Sequence, residues 1–256
     1  MKFLALAFLI LTGALPISAR EVLIVADEFP AMQVMADKLK SEENITPKVI
    51  NQKELPESLK DFQAVVVYIH RDLAEKAENA FIDYAENGGK LVLLHHSISS
   101  GKRKNAHWFK FLGVSLPDGD LSKGGYKWIE GVNFSLVNLN PSHFIMTNGI
   151  TWPEQIAYST TNSPVGAEAL PGFTLRETEV YLNHVHIEPH TLLMGLKFTE
   201  PSSGKTYMQD TAGWLKRTGK GWVVYLMPGH SKHDFETPTY GRIVANAVIW
   251  RTEPAR

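Results

Sequence analysis

NGGKLVLLHHSISSG, residues 87–101, joins a helix stop, a strand and a polar turn in one short run. Gly88 and Gly89 close the amphipathic segment before them, because glycine adopts the left-handed conformation that a helix C-cap requires. Lys90-Leu91-Val92-Leu93-Leu94 is too short for a helix and apolar almost throughout, which reads as a strand buried on both faces. The strand runs straight into His95-His96-Ser97.

The same grammar extends outward from this stretch. Upstream, EVLIVA (21–26) is a buried strand, DEFP (27–30) a turn, and residues 32–41 carry Met32, Met35 and Leu39 at helical spacing. KVI (48–50) and FQAVVVYI (62–69) are further strands, and residues 73–87 form the helix that the two glycines end. Downstream, residues 115–171 are rich in Gly, Asn, Ser and Pro and read as irregular structure with short strands, packed over one edge of the sheet. Residues 173–183 and 191–198 read as antiparallel strands. WVVYL (222–226) is a strand leading to Pro228-Gly229-His230, and a helix closes the chain over about 238–250. Strands alternating with helices predict a three-layer αβα fold of flavodoxin-like type, with a mostly parallel sheet and added antiparallel strands. Ligands in such sheets lie beyond the carboxyl ends of the strands. That singles out Asp27, Glu28, His70, Arg71, His95, His96 and Ser97.

Several function classes fall away on composition. The formal net charge of -1 offers no basic face, so no nucleic-acid partner is expected. No segment after the N-terminus is long and apolar enough to span a membrane. The chain has no cysteine, which excludes disulfides, thiolate nucleophiles and cysteine-bound zinc. Met1-Lys2, an apolar run over 3–11 and the small residues up to Ala19 have the layout of a cleavable signal peptide. The expectation is a periplasmic or secreted protein, with residues 1–19 removed and residues 20–256 forming one α/β domain.

The strand-to-turn step at residues 94–97 occupies the place where α/β hydrolases and amidotransferases carry a nucleophile. Without cysteine, glutaminase chemistry is excluded. Ser97 lacks the flanking glycines of a hydrolase elbow, and a serine hydrolase ranks last. Strand alternation sends one of His95 and His96 to the cleft and the other inward, and His95 is favoured for the cleft. His184 and His186 fall on one face of a strand with His190 near, and His230 and His233 form another close pair. No His-Glu-x-x-His helix motif accompanies them, so no metal is expected. A divalent cation (zinc or manganese) on His95, Glu179 and His230 is kept as the alternative.

NGGKLVLLHHS resembles the glycine-glycine, strand, histidine element of the ThuA-like (trehalose-utilisation) family. Three further segments agree in order: PSHFIMTNGI (141–150), TEVY (178–181), and AGW (212–214) with GKGWVVY (219–225) and Gly229-His230. The terminal PTYGRIVANAVIW helix also fits. Phe144 stands where that family usually has proline and Thr178 where it has aspartate, and an insertion lies between Thr151 and Pro171. The resemblance implies the fold of the class I glutamine amidotransferase-like superfamily and an association with disaccharide and keto-sugar metabolism.

Carried over by position, the resemblance implies His95, His143, Glu179 and His230 as catalytic residues. Tyr181, Trp214, Trp128 and Ser97 complete the substrate-binding set. A carboxylate with imidazoles suits acid/base chemistry near neutral pH, and indole faces suit sugar rings. The expected function is a carbohydrate-active enzyme (hydrolase, lyase or isomerase) on a glycoside or keto-sugar, with Glu179 and His95 as the working pair. The partner is a small carbohydrate, and a homo-oligomer is left open. The alternatives are an exported sugar-binding module without turnover and a metal-dependent hydrolase.

Overall fold

The computed structural model describes residues 21–160 and 166–251. The expected signal peptide and part of the expected insertion lie outside them. Strand β1 (Val22–Ala26) leads through helix α1 (Phe29–Glu43) to β2 (Lys48–Ile50), and β3 (Ala64–Tyr68) leads through α2 (Glu75–Glu86) to β4 (Lys90–Leu94). Every residue of β1, β3 and β4 is buried, as their apolar runs require when both faces are covered. Gly88, at φ +110°, ends α2 as anticipated.

Beyond β4 come α3 (Trp108–Leu112), β5 (Val114–Ser115), β6 (Lys127–Asn138), α4 (Phe144–Thr147), β7 (Glu154–Tyr158) and β8 (Glu168–Leu182). β9 (Val185–His186), β10 (Thr191–Thr199), β11 (Thr206–Thr218), β12 (Gly221–Leu226), α5 (Lys232–Glu236) and α6 (Pro238–Ile249) complete the chain. The main sheet has ten strands in the order β2-β1-β3-β4-β12-β11-β10-β6-β8-β7, and β5 pairs with β9 apart from it. Strands β2 to β12 in that order are parallel, and the rest are antiparallel. The crossovers β1–α1–β2 and β3–α2–β4 run in opposite directions across the sheet, so right-handed connection puts α1 and α2 on opposite faces. Consistent with this, α1 contacts α5 and α6, whereas α2 contacts α3. The result is the expected three-layer α/β fold.

The antiparallel half is more regular than the sequence suggested. Residues 115–171 were expected as irregular cover over one edge. Instead β6 lies inside the sheet between β10 and β8, and β7 forms its edge.

One distortion of this half positions the functional site. Strands spaced about 4.8 Å apart would leave β8, five places from β4 in the sheet order, roughly 24 Å away from it. Yet Glu179 of β8 reaches His95, just past β4, at 2.7 Å. The β6–β8 ladder slips register between Ile129 and Val132 and again before Phe134. Gly131 (φ +66°) and Glu177 (φ +49°) sit at the slips, and bulges of this kind bend a strand pair sharply. β6 pairs with β10 only over Ser135–Asn138. The outer pairs, Trp128 opposite Tyr181 and Ile129 opposite Val180, therefore form an arm that leaves the sheet and covers the carboxyl ends of β4 and β12.

Candidate functional site

His95 follows the last residue of β4 with φ +41°, a conformation that costs a non-glycine residue about 1–3 kcal/mol. Three contacts hold it there. Its Nδ1 lies 2.6 Å from the Met227 carbonyl oxygen, the Tyr225 hydroxyl donates to its carbonyl at 3.0 Å, and its ring stacks on Tyr181 with centroids 4.7 Å apart. The turn ends strand alternation, so His95 and His96 do not point to opposite faces. Their rings meet edge-on at 4.2 Å, and both approach Glu179. The expectation that only one of the pair belongs to the site is corrected for this reason.

Glu179 is the hub. Its Oε2 lies 2.7 Å from His95 Nε2, 3.3 Å from His230 Nδ1 and 3.5 Å from His96 Nε2. Burial works to raise the Glu179 carboxyl, but hydrogen bonds from His230 and His95, with the charge of His95, outweigh it and hold the group well below the usual carboxylate range. The hydrogen bond to Glu179 raises His230 above its ordinary value. Burial, with His95 and His70 beside it, pushes His96 far down, which keeps that ring neutral.

His230 is held by its loop. Asp234 Oδ2 accepts from the backbone N–H of His230 at 2.8 Å and of Gly229 at 3.2 Å, and from the Thr178 hydroxyl at 2.7 Å. Thr178 therefore does structural work at the position where the resembling family has aspartate: it ties the arm to the His230 loop. Gly229 sits at φ +124°, and a Cβ there would meet the Phe235 ring at 2.7 Å. The His230 side chain is 28% exposed against 0% for His95, so the site meets solvent on the His230 side. His70 extends this edge, its ring 3.8 Å from that of His96 and its Nδ1 3.1 Å from Glu28. Ligand atoms of His95, His96, Glu179 and His230 all lie within 4.8 Å of one another, a set able to hold a cation.

Other sequence-predicted residues fall elsewhere. His143 caps α4, its Nδ1 accepting from Ile145 N–H at 3.2 Å, and packs on Trp250. Ser97 is buried, and its hydroxyl donates to the Leu94 carbonyl at 2.9 Å. Trp214 is fully buried against His190 and Tyr225 and belongs to the core. His233 turns outward and pairs with Glu236. Tyr181 belongs to the site through its stack on His95. Trp128 is 52% exposed, and its register opposite Tyr181 gives both side chains one face of the arm. His96, singled out at the end of β4, was ranked behind His95, and Asp234 was missed. The first depended on an unforeseeable turn at His95, and the second on a bond to Thr178 across 56 residues.

A family model described as ThuA, trehalose utilisation, matches residues 21–251. Among solved structures, a ThuA-like protein from Bacteroides uniformis aligns with a TM-score of 0.59 at 16% identity, over 91% of this chain and 93% of that one. One from Parabacteroides merdae gives 0.58 at 13%, over 90% and 88%. A β-galactosidase from Bacillus circulans gives 0.52 at 10%, over 88% of this chain but 30% of its own. At these identities the likeness concerns the fold. No curated protein matches the chain.

Proposed function

The chain belongs to the ThuA family, described as trehalose utilisation, and from that premise we propose that it is an exported enzyme acting on a glycoside or keto-sugar by proton transfer at the Glu179 centre. The observation that carries this reading is one buried carboxylate oxygen meeting three imidazoles beyond the carboxyl ends of β4 and β12. Export rests on the signal-like layout of residues 1–19. No helix among the described residues is long and apolar enough to cross a membrane.

The roles follow from the electrostatics. A carboxylate held this low is a weak base, so Glu179 orients the imidazoles and stabilises positive charge on them. The proton is handled by His230, which is raised by Glu179 and faces solvent. With a keto-sugar, the step suited to such a group is loss of a proton from the carbon beside the carbonyl, the electrons passing to the carbonyl oxygen. Returning a proton to a leaving oxygen would then release a glycoside bond. Trp128 offers an exposed indole face for the ring on the same side of the arm.

The test is to incubate the chain lacking residues 1–19 with disaccharides and 3-keto-glycosides and follow products by mass spectrometry. Turnover that disappears in Glu179→Gln and His230→Ala supports the reading. Saturable binding without turnover, lost in Trp128→Ala, would replace it with a sugar-binding module.

A further inference from the structure

Four side chains able to bind a cation converge on one buried carboxylate oxygen. His95 Nδ1 faces the Met227 carbonyl oxygen at 2.6 Å, and a carbonyl only accepts, so Nδ1 carries a hydrogen while Nε2 faces Glu179 Oε2 at 2.7 Å. His230 Nδ1 and His96 Nε2 approach the same oxygen at 3.3 and 3.5 Å, with ring centroids 5.5 and 4.2 Å from His95.

One divalent cation would hold all four groups together. Bond lengths of about 2.0–2.2 Å in a tetrahedral site place ligand atoms roughly 3.3–3.6 Å apart. That is the spacing of His230 and His96 from Oε2, while His95 Nε2, at 2.7 Å, would move outward by about 0.6 Å on binding. His95 also has the outer partner that metal-bound imidazoles use, with its remote N–H on a backbone carbonyl. The Thr178–Asp234 bonds fix the His230 loop in the same way. We propose that His95, His96, Glu179 and His230 form a divalent-cation site that takes zinc, whose solvent-facing side at His230 admits a water or a substrate oxygen as a fifth ligand. Three imidazoles and a carboxylate without thiolates favour zinc, with manganese next. The catalytic consequence, a cation polarising a sugar carbonyl or hydroxyl with a cation-bound water taking the proton in place of His230, rests on the sugar-directed reading above. The binding does not.

The test uses tag-free protein stripped with a chelator and titrated with zinc chloride, by calorimetry and by competition with a chromophoric chelator. One equivalent per chain is expected, with the visible absorption of four-coordinate cobalt when Co2+ replaces zinc. His96→Ala and Glu179→Gln should weaken zinc by about a hundredfold or more, and His230→Ala, a change at the solvent edge, by about tenfold. Circular dichroism checks that each variant is folded. His233→Ala, at an exposed histidine outside the site, should bind as the parent does. Absence of stoichiometric zinc, or zinc affinity equal to the parent's in folded His96→Ala and Glu179→Gln, overturns the assignment. Full turnover of sugar by the stripped protein overturns the catalytic part of the assignment and leaves the zinc binding and the sugar reading standing. Zinc binding without any sugar turnover supports the site and removes the sugar reading.

Discussion

Two groups of three histidines lie in this fold, and one of them is centred on a single carboxylate oxygen. His95, His96 and His230 surround Glu179 and reach solvent at one edge. His184, His186 and His190 gather around Trp214, with His186 stacked on His190 at 4.2 Å and His190 against the indole at 4.5 Å. Neither ring nitrogen of His184 has a hydrogen-bond partner among the described residues, and burial drives that group well below its ordinary value. Burial and the neighbouring His190 likewise lower His186 to about 4. Burial thus favours neutral His184 and His186, with His184 in the core and His186 and His190 half-buried, although the spacing of this group in sequence looked as suggestive as the first. Imidazoles acquire chemistry from the carboxylate and the solvent edge beside them.

The sharpest way to break this contrast is to remove the acid. Glu179→Gln should lower kcat by about 10³ to 10⁴, while His184→Asn should leave steady-state turnover unchanged. Equal losses in the two variants would erase the distinction. Next is Trp214→Ala, which should cost about 3–5 kcal/mol in urea unfolding, with kcat/KM of the folded protein retained. A selective rise in KM would instead return Trp214 to a binding role. Thr178→Val deletes one donor to the buried Asp234 carboxylate and should cost about 1.5–3 kcal/mol, with a fall in turnover because His230 is freed.

A smaller effect concerns acid stability. A histidine that is lower in the fold than its unfolded value of about 6.5 binds fewer protons when folded, so stability falls as pH drops through that window. Denaturation midpoints between pH 6.5 and 4 should lose on the order of 1–2 kcal/mol through the second group, and His186→Gln should flatten that loss. The smallest effect is Trp128→Ala, expected to raise KM about tenfold, or ~1.4 kcal/mol, with no change in melting temperature.

The parallel half was legible because β1, β3 and β4 are unbroken apolar runs, and burial on both faces leaves no other reading. Of the β6–β8 arm, the β8 half was read as a strand over 173–183, but β6 was not, because its bulges interrupt the alternation by which a strand is recognised. Glu179 was found through resemblance to a family and not through pattern, since it meets His95 across 84 residues. His143 and Trp214 show the reverse error. Both match family segments in order, yet one caps a short helix and the other fills the core. Position along a chain transfers a residue's place more reliably than its exposure.

The Asp234 oxygen that joins Thr178, Gly229 and His230 also has a consequence for how the protein assembles. It closes a circuit between the arm and the last loop before α5, and Tyr68 adds a bond from β3 to Gly229 across 161 residues. Contacts this distant in sequence form late, after shorter loops have closed. The centre thus exists only when nearly the whole chain has found its place, and recovery of activity should be the final phase of refolding, trailing the return of helix and sheet.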